Sequence, residues 1–310
     1  MRLVFCGTPQ FAVPTLEALL GAGHRVELVL SQPDRAHGRG MEIQTSAVKQ
    51  FAAVRGLPLI QPEKIRNNPV LQQQLIQIAP DVIVVVAYGR LIPPWMLELP
   101  RYGNLNLHGS LLPKYRGAAP IQWAIAQGET ETGVTTMRLD AGLDTGDILL
   151  QDRVPIAPEQ TAIELSPALA AVGAELMVRT LAELEAGRLQ AMPQDARLAT
   201  LAPMLTREDG RIDWGRPAAQ IVNRWRGFEP WPGAFTCFRR KKLSVHAMRV
   251  GEGDGIVPAG TMARRGNRLL VACGDASWLE LLEVQLEGKR RMPVVAFLNG
   301  VTIAPGERLG

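Results

Sequence analysis

Asn106, His108 and Ser110 occupy alternate positions within the segment Tyr102–Gln122, YGNLNLHGSLLPKYRGAAPIQ. Alternate residues of a strand share a face, successive ones about 6.6–6.8 Å apart. Polar side chains left unpaired on a face of an internal strand cost several kcal/mol, so such a triplet belongs near a strand end that opens on a wet cleft. A carboxamide beside an imidazole can donate to a developing oxyanion and move a proton. Taken alone, N-x-H fits equally a strand end whose polar groups satisfy loop carbonyls. Gly109 and Ser110 then turn the chain, and Gly117 leads into a helix expected near Ala118.

A second polar cluster lies in MRLDAGLDTGDILL, residues 137–150, where Asp140, Asp144 and Asp147 sit in a glycine-containing loop between two β-like runs. A calcium loop counted from Asp140 puts Thr145 where glycine is required and Gln151 where a bidentate acid is required, so an EF-hand fails. Asp144 alone could be a turn-forming Asp near Gly. Together with His108 and Asn106 it completes a carboxylate, an imidazole and a carboxamide. G-x-S-x-G is absent, the first strand runs into CGTPQF without G-x-G-x-x-G, and Gly38-Arg39-Gly40 is only a fragment, which argues against a serine hydrolase, a dinucleotide enzyme and an NTPase. The three cysteines, Cys6, Cys237 and Cys273, form no C-x-x-C pair, and no metal-ligand cluster is expected. Of the other histidines, His24 follows a glycine at a helix end, His246 lies in an alternating pattern, and His37 lies in a loop.

These side chains need a frame. At about 100–200 residues per domain, the 310 residues suggest two domains. Hydrophobic residues at 46% and charged residues at 21% are globular, and a net charge of +4 permits a nucleic-acid partner without identifying one. The opening MRLVFCGTPQF is no signal peptide, and no run of about 18 apolar residues predicts a membrane span. A soluble cytoplasmic protein is expected. Through residue 150, β-like runs (Leu3–Cys6, Val26–Leu30, Leu57–Ile60, Val82–Ala87) alternate with helical patterns (Pro9–Leu20, Ala47–Val54, Val70–Ile78). This predicts an α/β domain with an open, mostly parallel, Rossmann-like sheet and helices on both faces, its ligands outside the carboxyl ends of the strands. Thr161–Glu185 reads as one long helix, bent or begun at Pro167. Residues 1–187 are expected to form the catalytic domain and 188–205 a linker. Residues 206–310, with runs AFTCF, LSVHAM, RLLVAC and WLELLEVQ, are expected to form an all-β OB-like barrel.

NLHGSLLPKYRGAAPIQWAI followed by ETGVTTMRLDAGLDTGDIL resembles the folate-dependent formyltransferases, and FCGTPQFAVPTLEAL, QPDRAHGRG, GRIDW and RGFEPWPGA extend the likeness over the whole chain. These last motifs point to the branch of the family that acts on initiator methionyl-tRNA. The resemblance implies a monomeric enzyme moving a formyl group from 10-formyltetrahydrofolate to the methionine α-amine, without a metal. It implies Asn106, His108 and Asp144 as catalytic residues, Asp144 orienting His108. It places Ser110, Leu111, Leu112 and Pro113 along the folate, and Tyr88, Leu91 and Ile92 at the pterin pocket. The barrel would help hold the tRNA.

Two stretches depart from the family pattern. Met41-Glu42 and Ala202-Pro203-Met204-Leu205 stand where basic residues are common. That leaves Arg39, Arg207 and the run Arg239-Arg240-Lys241-Lys242 as candidate phosphate contacts, with Lys241 and Lys242 foremost in the run, which also fits a solvated hairpin turn. Gln32–Gln44 is expected to be a long loop without secondary structure that reaches the tRNA acceptor end. The competing functions are formyl transfer to a small amine and a non-catalytic folate- or RNA-binding role.

Overall fold

Short apolar runs ending at glycine or at a polar turn form the strands of the first sheet, and capped segments between them form its helices. In the computed structural model, residues 1–37 and 42–310 are described, without the side chains of 35–37 and 42–44. The elements are β1 (Arg2–Gly7), α1 (Val13–Gly21), β2 (Arg25–Leu30), β3 (Arg35–His37), β4 (Glu42–Gln44), α2 (Ala47–Val54), β5 (Leu59–Ile60), α3 (Pro69–Ile78) and β6 (Val82–Val86). Then follow α4 (Pro94–Leu97), β7 (Asn104–His108), α5 (Pro120–Ala126), β8 (Glu131–Arg138), β9 (Ile148–Pro155) and α6 (Ala162–Glu185). Ser46 caps α2 by accepting from Lys49 N–H, and Asn68 caps α3 by accepting from Leu71 N–H with Pro69 at the first helical position.

The sheet order is β5-β2-β1-β6-β7-β8-β9. The first five strands run parallel, and β8 and β9 are antiparallel additions. Every residue of β6 is buried, as a strand covered on both faces requires. The order reverses between β1 and β6, which opens a crevice at their carboxyl ends. There Gln32 Nε2 donates to the carbonyls of Tyr88 and Gly89, at 2.9 and 3.2 Å.

Chain contacts divide the molecule into two units, the first comprising Met1–Pro120, Glu131–Pro155 and Leu165–Pro203, the second Ile121–Thr130, Ile156–Glu164 and Met204–Gly310. In the second unit α7 (Ala218–Gly227) precedes β10 (Ala234–Phe238), β11 (Lys241–Gly251), β12 (Met262–Arg265), β13 (Arg268–Ala272), β14 (Trp278–Leu286), β15 (Met292–Pro293) and α8 (Val294–Gly300). Its strands pair antiparallel in the order β10-β11-β14-β13-β12, with β15 on β14. Trp214 of the GRIDW motif is buried in this unit's core and donates its indole N–H to Thr236 Oγ1 at 3.1 Å.

Three expectations are corrected. The C-terminal unit is β-rich rather than all-β, because α7 and α8 bury Ile221 and Phe297 in its core. Of the expected linker 188–205, residues 188–203 are not free: Met192 pairs with Ile148 and Leu201 with Arg116, so this stretch is strapped onto the first unit. Within the loop 32–44, β3 and β4 pair as an antiparallel ribbon, while Gly38, Arg39, Gly40 and Met41 lie outside the described residues. By length and composition α6 is long and apolar enough to cross a membrane, but half of its apolar window is buried, and Leu165, Leu169, Leu176 and Leu181 are wholly inside. It is a core helix, interrupted on its outer face by charges such as Glu175 and Arg179.

Candidate active site

β7 sits between β6 and β8, pairing Asn106 with Val85 on one side and with Met137 on the other. Asn106 and His108 are buried on one face at its carboxyl end. The Asn106 carboxamide makes no hydrogen bond to the described residues, so both its N–H groups are uncommitted. His108 Nε2 lies 2.9 Å from the Tyr115 carbonyl. A carbonyl can only accept, so Nε2 carries the proton and, in the neutral ring, Nδ1 keeps its lone pair. Burial holds the imidazole below the usual histidine range, opposed by the Asp144 carboxylate and by the Tyr115 carbonyl.

The third expected member of the triplet does not share that face. Ser110 lies in the turn beyond β7, where its hydroxyl donates to the Lys114 carbonyl at 2.7 Å. Thr135 Oγ1 donates to the Ser110 carbonyl at 2.6 Å, and Gln151 Nε2 donates to the Leu112 carbonyl at 2.9 Å. This turn is thereby pinned to β8 and β9, and it delivers Tyr115 with a left-handed φ of 62°. Such a backbone is rare for a bulky residue, and here it aims the carbonyl at His108.

The loop between β8 and β9 assigns its three aspartates different work. Asp140 accepts from Gly142 N–H at 3.0 Å and from Thr145 Oγ1 at 2.8 Å, closing the loop on itself. Asp147 closes the base, its carbonyl accepting from Arg138 N–H at 2.9 Å. Asp144, at φ 51°, is the one that faces His108. Its Oδ2 accepts from Gly117 N–H at 2.8 Å and lies 3.8 Å from His108 Nδ1. That separation is too long for a hydrogen bond, as expected for two acceptors. In this structure the hydrogen bond of the His108 ring is accepted by the Tyr115 carbonyl, with Asp144 at ion-pair distance.

The residues expected along the folate are spread more widely. Leu112 is buried with Met137 and Ile148, whereas Leu111 and Pro113 are partly exposed. Tyr88 is fully buried in the sheet core with its hydroxyl unpartnered, Ile92 packs half-buried on that core, and Leu91 is 80% exposed. Of the basic candidates, Arg239 and Arg240 form the tight turn between β10 and β11, and Arg239 is paired with Glu307. Lys242 lies 4.5 Å from the centre of the Phe235 ring, and Lys241 and Arg207 are exposed. Sequence reasoning missed Tyr115, Thr135, Gln151 and Gln194; none carries a local signal, because each acts through a backbone carbonyl or through partners remote in sequence. Among the described residues no three His, Cys, Asp or Glu side chains converge as a metal set would.

A doubly wound sheet presenting a carboxamide, an imidazole and a carboxylate at its carboxyl edge, followed by a β-rich domain, defines the class of formyl transferases. The family model described as Formyl transferase matches residues 1–181, and that of the Formyl transferase C-terminal domain matches 204–302. The chain is 63% identical over 310 residues, all of both proteins, to the methionyl-tRNA formyltransferase of Acidobacterium capsulatum. Identity to the methionyl-tRNA formyltransferase of Koribacter versatilis is 57%, over 100% of this chain and 99% of that one. The chain belongs to the methionyl-tRNA formyltransferase branch of the formyl transferase family. An N-formyltransferase from Helicobacter canadensis, solved with folinic acid and dTDP-3-aminofucose, shares the fold at 18% identity and a TM-score of 0.66, over 91% of this chain and 98% of that one.

Proposed function

We propose that this protein transfers the formyl group of 10-formyltetrahydrofolate to the α-amino group of methionine esterified to initiator tRNA. The observation that carries the proposal is the placing of His108 Nδ1 and Asp144 Oδ2, two acceptors 3.8 Å apart, beside the uncommitted Asn106 carboxamide. An amine N–H is the donor these acceptors lack. An α-amino group titrates near about 7.7–8.0, so part of it arrives as ammonium and must lose a proton before it attacks. Asp144 accepts from the amine and holds it, and His108 Nδ1 takes the proton released as the new C–N bond forms. The formyl oxygen gains negative charge, which Asn106 N–H stabilises. The imidazolium, held by the Tyr115 carbonyl, then returns its proton to N10 as the C–N10 bond breaks. Counted from the neutral amine no proton is gained or lost overall; an amine that arrives as ammonium first releases one proton to solvent.

The exposed Leu91 and the half-buried Leu111, Pro113 and Ile92 supply apolar surface of the kind a flat heterocycle needs, while Ser110, Leu112 and Tyr88 are buried. The antiparallel β10–β15 sheet supports an OB-like platform for the tRNA, with Arg39, Arg207, Lys241 and Lys242 as phosphate contacts. The enzyme works as a cytoplasmic monomer in this proposal. Incubation with 10-formyltetrahydrofolate should formylate methionyl-tRNA, and leave an amino-sugar nucleotide and a purine-precursor amine unchanged. Formylation of a small amine in preference to methionyl-tRNA would overturn the assignment. Charge removal at Arg39 or Lys241 should lower the slope of log KM against log salt by about one phosphate contact.

A further inference from the structure

The strap formed by residues 192–202 laces together both loops of the candidate site. Thr200 Oγ1 accepts from Tyr115 N–H at 2.8 Å, and the Ala202 N–H donates to the Arg116 carbonyl at 2.7 Å. Gln194 stands at the junction. Its Nε2 donates to the carbonyls of Asp144 and Gly146, at 2.9 and 2.7 Å, while its Oε1 accepts from Arg116 Nε and Nη2, at 3.1 and 2.8 Å. All of its hydrogen-bonding valence is directed at the two loops. The internal bonds of Asp140 and Asp147 fix the shape of the aspartate loop but not its place relative to β7. Its tip, residues 141–143, is exposed.

We infer that Gln194 is a positioning residue for formyl transfer, setting the distance of Asp144 from His108 by holding the backbone of Asp144 and Gly146. The inference rests on the catalytic role proposed above for Asp144. The chemistry requires glutamine. Glutamate accepts from Arg116 but has no N–H for the two carbonyls, and asparagine is one carbon short.

The test is a double-mutant cycle on the full chain, with 10-formyltetrahydrofolate and methionyl-tRNA as substrates. Gln194→Ala should lower kcat about 10–100-fold, the scale of a small misplacement of a reacting group. KM for both substrates should stay within about threefold, since uniform binding is untouched. Gln194→Glu, which keeps the size and the Arg116 contact, should match Gln194→Ala and replaces it in the cycle if the alanine variant fails to fold. Arg197→Ala on the same strap, whose guanidinium meets only Asp195 among the described residues, should leave kcat unchanged. On an Asp144→Ala background, loss of Gln194 should cost nothing further. A wild-type kcat for Gln194→Ala, or a full additional loss on the Asp144→Ala background, overturns the inference. Asp144→Ala at wild-type kcat would instead remove the catalytic assignment and the inference with it, a result read from that single variant.

Discussion

Tyr115 offers His108 its main-chain carbonyl, and from that contact follow the tautomer and the free lone pair on Nδ1, on which the proposed direction of proton transfer depends. The acid limb of kcat should then lie below the ordinary histidine value of about 6.5, because burial depresses the His108 pKa. Asp144 raises that pKa, so Asp144→Asn should move the limb to lower pH while reducing kcat. A limb that moves upward in this variant, read from pH–rate profiles, contradicts the arrangement. The same depression has a stability sign. The unfolded chain binds the proton more readily, so stability falls as pH drops below the unfolded value of about 6.5. His108→Ala should cost about 10²–10⁴ in kcat. Asn106→Ala should lose about 3–4 kcal/mol of transition-state stabilisation with folate-analogue affinity little changed. Single-turnover kinetics beside analogue titration separates these effects.

The elements that hold these residues pack tightly against several glycines, Gly117 and Gly173 among them. Gly117 has φ 126°, and a Cβ there would lie 2.6 Å from the Ala202 carbonyl oxygen, a backbone atom that cannot swing aside. Gly117→Ala should cost about 1–3 kcal/mol and lower kcat, because the same residue's N–H holds Asp144 Oδ2. A urea midpoint and kcat both at wild-type values would contradict this. At Gly173, α6 lies directly on β7, where a Cβ would meet Leu107 Cδ2 at 2.6 Å. Helix propensity gained by Gly173→Val is under about 0.5 kcal/mol, while overpacking costs about 1–3 kcal/mol. The variant should therefore be less stable, and a urea midpoint at or above wild type would show that the helix can retreat freely. Leu107 lies between Asn106 and His108, so the push is delivered to the strand that carries both.

Across the whole molecule the chain passes between units more than once. Ile121–Thr130 and Ile156–Glu164 belong with the C-terminal residues. Trp123 meets the Phe228 ring edge-on at 5.3 Å, and buried Arg226 donates to the carbonyls of Ala157 and Gln160, at 3.3 and 2.8 Å, and to Asn223 Oδ1 at 2.6 Å. Arg226→Met should cost about 1.5–3 kcal/mol, with hydrogen-exchange protection lost first in residues 156–164. A fragment of residues 1–205 carries these segments without their partners, so it should bind a hydrophobic dye and unfold without a cooperative transition. One cooperative melt at the full chain's midpoint would show that the first unit is self-sufficient.

Local chemistry determines much of this protein directly from its sequence. The buried run Val82–Val86, the capped helices, the turn after His108 and the Asp/Gly loop around Asp144 are each specified by periodicity or turn residues within a few positions. For that reason the α/β order and the carboxyl-edge location are legible in the sequence itself, whereas Asn106, His108 and Asp144 stand out as a trio only through the family resemblance. RGFEPWPGA is legible as a motif but not as a function; in the fold its Arg226 and Phe228 hold the second unit together. What the tertiary structure alone decides is how the groups of the candidate site address one another. His108 is oriented by a main-chain carbonyl, which has no residue type to read. Gln194 reaches Asp144 and Arg116 across sequence separations of 50 and 78 residues, from a stretch with no pattern of its own. Strands and turns are written by neighbours along the chain, but the distance between two loops is set by whichever remote side chain happens to bridge them.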